Sequence, residues 1–589
     1  MSKENELERI NRESEILAAE NERLRLELRE ASERYQEMRG SLSWKVTAPL
    51  RRVLGWALGF GGRAASKDPL ELNAENYRRW VAEYDRPLSG ADRRLVVEAI
   101  ERLPRRPQFS VLLVVRDPAA GDLRETLQSI RKQIYKDWEL CVVDDGSTAP
   151  YVARMLADFG DDPRVRIVRD AVDVLAMARR EYVTRIEAGD VLAETALFEI
   201  AWEIAAHPEA VVIYSDEDEI DASGERSNPK FKTGWNPDLL LSENYLGRLV
   251  VYRREAVAGA RGTEYELALR MSSSASVRHV AAVLCHRRGA VEDVGKQVRW
   301  EVPSDAKVTV IIPTRDRAEL LERCVDGLLH RTKYAAGVEI IIVDNASREE
   351  RTRELFASYA ALENVRVIPY PGEFNWSAMN NAGAKAATGE ILLFLNNDTD
   401  VIEDSWLAEL ASQAARPEVG VVGAKLLYAD RTVQHAGIWL GPGVFARHVL
   451  RLSKRDEPGY LRQLTLARNM SAVTGACMAM RRAVFAESGG FDESFPVSYS
   501  DLDLCLRLIG KGYRIVWTPY AELLHLESAS RGSSESRWRK EQADRDRFCA
   551  RWQHEMDNDP FFNPNLDLIG EEKVALAFPP RRRRAWRAS

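Results

Sequence analysis

From Ser110 onward, short apolar runs alternate with amphipathic segments along the chain. A short apolar run without polar alternation is typical of a strand buried on both faces of a parallel sheet, and the amphipathic segments between such runs predict helices. The pattern occurs twice in the same order. The predicted strand, helix and strand are Ser110–Val115, Leu123–Arg131 and Glu139–Val143, and then Val308–Ile312, Glu319–Leu329 and Glu339–Val343.

The two halves of the chain repeat chemistry as well as pattern. A polar pair ends the first strand of each half, an aspartate ends the second, and an acidic helix start comes later, followed by a strand-like run and a histidine. This recurrence predicts an internal duplication, with α/β domains at 108–295 and 305–535. The matched pieces are Arg116–Asp117 with Arg315–Asp316, Asp144 with Asp344, Glu264–Arg270 with Asp501–Arg507, and His286 with His525.

Residues 1–40 carry a heptad pattern. Ile10, Leu17 and Leu24 fall seven residues apart in a charged segment without proline, which predicts an N-terminal coiled-coil helix. Asn21 in the seam favours a parallel homodimer, whereas Ser14 buries little there. A solitary, solvated helix is therefore the alternative.

Residues 41–107 form a basic and aromatic amphipathic region. Within it, Trp44–Phe60 sets tryptophan, leucine and phenylalanine beside lysine and arginine, which is the composition of a helix at a membrane surface. Packing on the following domain is the alternative. Residues 536–589 are predicted as a C-terminal helix and basic tail. The tail Arg581–Arg587 would attract anionic lipid or remain a solvated end.

Composition narrows the class of protein. A chain of 589 residues suggests several domains, and 45% hydrophobic with 30% charged residues is ordinary for a globular protein. The net charge of −7 gives no reason to expect nucleic acid. Six cysteines without a Cys-x-x-Cys pair disfavour a disulfide framework and a structural zinc site. The sequence shows no secretory signal, and none of its apolar runs approaches the ~18 residues of a membrane-spanning helix. A cytoplasmic location is therefore expected, with peripheral contact on the inner face of the membrane as an option.

Polar side chains follow the apolar run Ile391–Leu395, which ends in Asn396-Asn397-Asp398. Ligands of parallel sheets bind beyond the carboxyl ends of the strands. Hard oxygen ligands at that point suit Mg²⁺ or Mn²⁺ holding a diphosphate, and a simple polar turn is the alternative. Asp344 and Asn345, at another strand end, offer hydrogen bonds to a nucleobase or ribose. No Gly-x-Gly-x-x-Gly or Walker loop is present, which disfavours a dinucleotide or ATP site.

These motifs, taken in order, resemble family 2 glycosyltransferases of the GT-A fold. The similarity is greatest to the bacterial rhamnosyltransferase-like branch that builds cell-surface polysaccharide such as O-antigen. The resemblance runs through Val310–Arg315, Ile342–Ser347, Asn375–Gly383, Leu395–Asp398, Gln434–Gly437, Thr474–Ala476, Gly489–Glu493, Asp501–Arg507 and His525–Arg531. It implies an α/β architecture of two tandem GT-A domains, Rossmann-like nucleotide-diphospho-sugar transferase folds, after the coiled coil.

The resemblance also implies roles for single residues of the second copy. Asp501 falls where the family places its general base, and Asn396, Asp398 and His525 fall at the metal site for Mn²⁺ or Mg²⁺. Because Asn396 replaces the family's first aspartate, weaker metal affinity is expected. The implied donor nucleotide contacts are Pro313, Thr314, Arg315, Asp344, Asn345 and Asn380, and the implied acceptor or sugar contacts are His435, Thr474, Gly475 and Asp503.

The implied reaction is a single displacement with inversion at the anomeric carbon of a dTDP- or UDP-sugar, with rhamnose as one candidate. The acceptor would be a growing glycan or a polyprenyl-linked sugar. Purely structural roles are the alternative for four of these residues. Asp501 and Asp503 would also stabilise a helix N-terminus, and His435 and His525 would also serve as hydrogen-bonded core histidines.

The first copy keeps Asp144 but not the metal motif. Aligning Glu181 with Glu390 puts Gly189 at the position of Asp398, beside Asp190. Arg185 replaces Phe394, and Glu264 replaces Asp501. The first copy is therefore predicted to be catalytically weak or inactive. A structural or acceptor-binding role and a second transferase site using Glu187 and Asp190 are the alternatives.

Two other classes of function compete with a transferase. One is a pseudoenzyme scaffold in a polysaccharide-synthesis complex, and joint retention of Asp398, Asp501 and His525 speaks against it. The other is a nucleotidyltransferase, which the lack of a glycine-rich phosphate loop disfavours.

Overall fold

The computed structural model describes residues 70–169, 173–260, 262–271, 276–288, 296–441, 444–526, 535–569, 572–582, 584 and 586. The predicted coiled coil and the segment Trp44–Phe60 lie outside the described residues.

The first copy is built on a mixed sheet that runs in the order β4-β3-β2-β5-β9-β7-β10-β6, with β8 beside β7. Strands β2 to β5 pair in parallel, and β9 runs antiparallel to its neighbours. The strands are β2 (Phe109–Val115), β3 (Trp138–Asp144), β4 (Val165–Arg169), β5 (Tyr182–Ile186), β6 (Val191–Leu192), β7 (Val212–Ile220), β8 (Arg226–Lys230), β9 (Val251–Arg253) and β10 (Val277–Arg287).

The second copy repeats this strand order as β13-β12-β11-β14-β21-β16-β22-β15, with β17 beside β16, and it adds the short strand β20 beside β22. The hairpin β18–β19 lies apart from it. The strands are β11 (Val308–Thr314), β12 (Val338–Asp344), β13 (Val365–Pro369), β14 (Ile391–Leu395), β15 (Thr399–Val401), β16 (Val419–Leu427), β17 (Val433–His435), β18 (Ile438–Gly441), β19 (Val444–His448), β20 (Arg468–Asn469), β21 (Cys477–Arg481) and β22 (Arg514–His525).

Helices cover both faces of each sheet, as parallel strand connections require. In the first copy they are α3 (Ala120–Arg131), α4 (Pro150–Gly160), α5 (Ala196–Ala206), α6 (Pro237–Ser242) and α7 (Glu264–Arg270). In the second copy they are α8 (Ala318–His330), α9 (Glu350–Tyr359), α10 (Trp376–Ala386), α11 (Trp406–Ala414), α12 (Arg482–Ser488) and α13 (Ser500–Gly510). Short 3₁₀ turns occur at Leu175–Met177, Arg254–Val257 and Tyr460–Arg462.

The predicted architecture of two tandem α/β domains is confirmed. The predicted strands are present, and most are longer than predicted by one or two residues. At the carboxyl ends of β11 and β12 the polar residues still pair in the sheet, since Thr314 pairs with Asp344. A buried hydroxyl–carboxylate bond also recurs between the first two strands of each copy. The Ser110 hydroxyl donates to Glu139 at 2.6 Å, and the Thr309 hydroxyl donates to Glu339 at 2.6 Å.

Residues 70–107, predicted as part of a linker region, fold against the body of the protein. They form β1 (Leu70–Glu71), α1 (Ala74–Tyr84) and α2 (Gly90–Glu101), and Ser89 and Asp92 close a capping box at the start of α2. After α14 (Glu535–Asp557), the strands β23 (Leu566–Ile569) and β24 (Lys573–Leu576) form a small sheet with β1.

The acidic segment Tyr214–Asp221 joins these terminal elements to the first copy. Asp216, Glu217 and Asp218 on β7 are fully buried. The Asn563 amide donates to Asp216 at 3.0 Å, and the Tyr77 hydroxyl donates to Asp218 at 2.7 Å. Buried carboxylates are costly unless they are hydrogen-bonded and paired, so this row ties both α1 and the C-terminal segment to β7.

The described residues of the basic tail contact the folded part of the protein. Arg582 pairs with Glu199 at 2.7 Å, Arg584 pairs with Asp85 at 2.7 Å, and Trp586 is buried. Among the described residues, no helix is both long enough and apolar enough to cross a bilayer.

Candidate active site

A cavity of about 660 Å³ opens at the carboxyl edge of the second sheet. It is bounded by the ends of β11, β14 and β22, by the start of α13 and by α14. Among the predicted site residues, it brings together Pro313, Thr314, Arg315, Asn396, Asp398, Thr474, Gly475, Asp501 and His525. These residues come from five separate motifs of the sequence and meet on one surface, as expected for a site at the carboxyl ends of sheet strands.

Asp398 and His525 form the centre of this surface. The turn after β14 carries Asp398, and β22 ends at His525, so the pairing of β15 with β22 brings the two together. The His525 Nε2 lies 3.1 Å from Asp398 Oδ1, and both side chains are almost fully buried. The Asn396 amide nitrogen lies 3.4 Å from the same Nε2.

Gln434 fixes the orientation of the His525 ring. The Gln434 carbonyl oxygen lies 2.6 Å from His525 Nδ1, and because this oxygen only accepts, Nδ1 carries the proton. In the neutral ring, Nε2 then presents its lone pair toward Asp398. Two electron-rich atoms at 3.1 Å require a proton or a cation between them.

This donor set fits a divalent cation in part. Carboxylate, amide and imidazole are acceptable ligands for Mn²⁺ or Mg²⁺, which complete their coordination with water and substrate phosphate oxygens. No group of three or more acidic, histidine or cysteine side chains positioned to hold a metal occurs among the described residues. Asp398, His525 and the Asn396 amide would therefore hold a cation only together with oxygens of a bound diphosphate.

Asp501 lies at the start of α13 and faces the same cavity. The backbone N–H of Gly475 donates to Asp501 Oδ2 at 2.7 Å, and that of Leu502 donates to Oδ1 at 3.0 Å. A carboxylate at a helix N-terminus is stabilised in its charged form, which is the form that a general base needs. The predicted helix start and the predicted base position are thus the same residue.

Trp376, the first residue of α10, connects the two parts of the site. Its indole N–H donates to the Asn396 side-chain oxygen at 3.3 Å, and its ring packs on Phe491. A Cβ at Gly475 would lie 2.6 Å from the Trp376 ring. Gly475 therefore lets the indole approach the loop that holds Asp501.

His435 stands behind the cavity wall. It is fully buried, and burial together with the neighbouring rings of His448 and His525 holds the pKa of His435 well below its ordinary value, so the ring is neutral. Its Nε2 accepts from the backbone N–H of Thr474 at 3.3 Å, and its Nδ1 lies 2.8 Å from Nδ1 of His448. His448, not His435, lines the cavity.

Fewer of the predicted donor-nucleotide contacts than of the predicted metal and base residues line the cavity. Thr314 lines the cavity, and its hydroxyl accepts from the Asn397 amide at 2.8 Å. Asp344 pairs with Thr314 across the sheet, which places it at the same edge. Asn345 and Asn380 are buried and do not line the cavity; Asn345 donates to the carbonyls of Tyr370 and Gly372.

Asp503, predicted as an acceptor contact, does not line the cavity either. It is fully buried and forms ion pairs with Arg507 at 2.7 Å and with Arg551 at 2.7 Å, and the indole N–H of Trp552 donates to it. Side chains two positions apart on a helix point in different directions. Asp501 therefore faces the cavity while Asp503 holds α14.

Sequence reasoning missed several cavity residues. They lie on the hairpin β18–β19, just after it and on α14, in segments without a strand-end signature. The basic residues around Arg447 are the signal in the sequence that could have indicated this wall. The charged and polar residues among them on these segments are Arg447, His448, Arg451, Glu541, Gln542 and Arg545.

The predicted match of His286 with His525 is wrong. In the first copy, the N–H of Arg288 donates to the Gly189 carbonyl, as the N–H of Leu526 donates to that of Asp398. Gly189 therefore occupies the place of Asp398, as predicted, and Arg287 occupies that of His525. His286 lies one residue earlier, on the opposite face of the strand, and contacts Asp218 at 2.6 Å.

Known proteins resemble the chain over both copies. The profile of the family described as "Glycosyl transferase family 2" matches residues 110–258 and 309–489. The O-antigen biosynthesis protein RfbC of Myxococcus xanthus is 37% identical over 583 residues, covering 88% of this chain and 44% of that protein. The uncharacterized protein y4gI of Sinorhizobium fredii is 37% identical, covering 80% of this chain and 59% of that protein. The chain thus spans about half the length of these two relatives.

Another relative matches a smaller share of the chain. The N-acetylglucosaminyl-diphospho-decaprenol L-rhamnosyltransferase of Mycobacterium tuberculosis is 38% identical over 249 residues, which cover 38% of this chain and 77% of that protein. The two family segments take up more than half of the chain, and each covers most strands of one sheet but ends before β10 or β22. The chain belongs to glycosyltransferase family 2.

Proposed function

We propose that the second copy is an inverting glycosyltransferase that moves a sugar from a nucleotide diphosphate donor to a glycan or lipid-linked acceptor of the bacterial cell surface. The observation that carries the proposal is the meeting of Asp398, His525 and Asp501 in one cavity. Packing alone does not require two carboxylates and an imidazole on the same surface.

Each side of the cavity has a separate task. The donor diphosphate would lie between the end of β11, at Thr314 and Arg315, and the Asp398–His525 pair. The carboxylate of Asp501 would accept the proton of the attacking acceptor hydroxyl as that oxygen bonds to the anomeric carbon and the nucleoside diphosphate leaves from the opposite side. Such a base contributes about 10²–10⁴-fold to the rate.

A divalent cation, Mn²⁺ or Mg²⁺, would supply stabilisation of the charge that develops on the leaving diphosphate. Asp398, His525 and Asn396 are the residues that would hold it. Asn396 contributes no charge, so affinity for the cation should depend strongly on the bound diphosphate.

The donor sugar is proposed from relatives. One relative is named as an L-rhamnosyltransferase acting on a diphospho-decaprenol-linked sugar, and another as an O-antigen biosynthesis protein. We therefore take dTDP-rhamnose as the first donor to test and UDP-hexoses as the second. Asp344 at the sheet edge would bind the imide edge that thymine and uracil share.

The test is calorimetric binding of dTDP and UDP, with and without Mn²⁺, to the full chain and to Asp398→Asn. We expect binding of one nucleotide that requires Mn²⁺ and falls at least tenfold in the variant. Asp404→Asn is the matched control, since Asp404 is a surface residue paired with Lys333 just after β15. Absence of nucleotide binding to the wild-type chain with Mn²⁺ present would favour a scaffold over a transferase.

A further inference from the structure

The corresponding edge of the first copy holds an arginine that the second copy lacks. The matching strand pairs place Arg248 where the second copy has Ala476, and Glu187 where it has Asn396. The pairs that fix this match are Tyr182 with Arg253 and Thr184 with Val251 in the first sheet, and Ile391 with Arg481 and Leu393 with Ala479 in the second.

The Arg248 guanidinium lies among carboxylates at this edge. It donates to Glu187, and its Nε lies 3.7 Å from Asp190 Oδ1. Asp190 is buried, whereas Glu187 is largely exposed. The guanidinium of Arg248 therefore supplies a positive charge beside the strand-end carboxylates, and this charge belongs to the chain itself. Since a guanidinium stays protonated at any physiological pH, this charge is permanent.

A second arginine neutralises the counterpart of the general base. Arg185, in the place of Phe394, lies 3.5 Å from the carboxylate of Glu264, in the place of Asp501. Burial raises the pKa of Glu264, and the charges of Arg185 and Arg248 oppose that rise. An aromatic core residue has thus become a charged partner for this carboxylate.

The remaining parts of a donor site are also changed. Gly189 offers no carboxylate in the place of Asp398, and Arg287 replaces His525 and pairs with buried Glu217 at 3.7 Å. Where the second copy has α10 with Trp376, the described residues 173–181 of the first copy form only the 3₁₀ turn Leu175–Met177. These differences all remove a ligand or a wall of the site.

We propose that Arg248 is a built-in replacement for the divalent cation in the first copy, so that this copy takes no metal–nucleotide and each chain holds one donor. This inference rests on the proposed function, because it compares the first copy with a second copy that binds a metal and a donor nucleotide. It predicts that metal and nucleotide stoichiometry, not only activity, distinguishes the two halves.

The first measurement is Mn²⁺ bound per chain, by electron paramagnetic resonance of the full-length protein with saturating dTDP or UDP. We expect one Mn²⁺ in the wild type and none in Asp398→Asn. Two Mn²⁺ in the wild type, falling to one in Asp398→Asn, would overturn the inference and leave the proposed function standing. One Mn²⁺ that survives Asp398→Asn but disappears in Asp190→Asn would overturn both.

A second measurement does not depend on the second copy. In the Asp398→Asn background, Arg248→Ala leaves Glu187 and Asp190 without their guanidinium. We expect the melting temperature to fall by ~2 °C or more, millimolar Mn²⁺ to recover part of the loss, and Arg248→Lys, which retains the charge, to lose less. A melting temperature that neither falls nor responds to Mn²⁺ would overturn the inference even if the wild-type chain bound no nucleotide. If Arg248→Ala does not fold, Arg248→Lys and Arg248→Gln give the same comparison of charge.

Discussion

Replacing Gly475 with alanine tests how the loop beside Asp501 and the indole of Trp376 support each other. The added methyl group would lie 2.6 Å and 2.9 Å from two carbons of the Trp376 six-membered ring and 3.4 Å from the Cβ of Asp501. Contacts below 3.0 Å require something to shift. The ring is backed by Phe491, with centroids 4.8 Å apart, so it has little room to retreat.

The expected cost has a structural and a catalytic part. Overpacking of this kind destabilises a protein by about 1–3 kcal/mol. Displacing the indole also stretches its 3.3 Å bond to Asn396 and shifts the Gly475 N–H that donates to Asp501. A misplacement of about 1 Å at reacting groups costs on the order of 10²-fold in rate, so kcat/KM should fall by about that factor.

The assay is sugar transfer from the donor identified by the binding screen, together with thermal unfolding. Gly510→Ala is the matched control, because Gly510 ends α13 and a Cβ there meets nothing within 4 Å. That control should stay within about 1 kcal/mol of wild type, with slight stabilisation from helix propensity. Adding Trp376→Phe to Gly475→Ala should recover stability but not Mn²⁺ affinity, since the bond to Asn396 is gone. Wild-type stability and activity in Gly475→Ala would refute the reasoning.

Three further predictions follow from single side chains. Asp501→Asn should lower kcat by ~10²–10⁴-fold while nucleotide affinity stays within about twofold; equal activity would exclude Asp501 as the base. Gln434→Leu should weaken Mn²⁺ binding by about 10–100-fold by freeing the ring of His525, and unchanged affinity would show that the ring is held by other contacts. Glu217→Gln should destabilise the protein by about 3 kcal/mol at pH 7, and this difference should shrink as the pH falls from about 4.5 to about 2.

The sign of the Glu217 prediction follows from its surroundings. Burial would raise the pKa of Glu217, but the charges of Lys232 and Lys230 hold it at about 2, below the ordinary value of 4.5. A carboxyl group whose pKa is lowered by folding stabilises the native state above its unfolded pKa and loses that contribution on acidification. Melting curves of both proteins across this pH range check it, and a constant difference would contradict it.

Most of the second-copy site could be predicted from the sequence because its residues follow strands. An apolar run such as Ile391–Leu395 predicts a parallel strand, and its last residue then locates the ligand edge. The prediction was weaker where a helix decides which way a side chain points. Asp501 and Asp503 look equivalent in the sequence, but the helix turns one toward the cavity and the other toward Arg507 and Arg551.

The His286 error has the same origin. Histidines at matching distances in two repeats suggested equivalence, but neighbouring residues of a strand face opposite sides. The pairing of Gly189 with Arg288, together with the register of β10 on β6, shows which residue of β10 corresponds to His525. The role of residues 70–107 was also hidden, because their partners, such as Asp218 and Ala577, are distant in sequence.

The first copy can lose donor chemistry without losing its fold because different residues serve the two purposes. The counterparts of its metal-site positions lie after β5, just before β9 and at the end of β10. Arg248, before β9, stands in the place of an alanine, and Arg287, at the end of β10, stands in the place of a histidine. Several of its contacts to the terminal segments lie on β7, where Asp216 holds the C-terminal segment and Asp218 holds α1. Substitution at the sheet edge removes a cation site, whereas substitution on β7 would leave buried donors and charges unpaired. Asp218→Asn should therefore destabilise the whole protein, while Glu187→Gln should leave both stability and transfer by the second copy nearly unchanged.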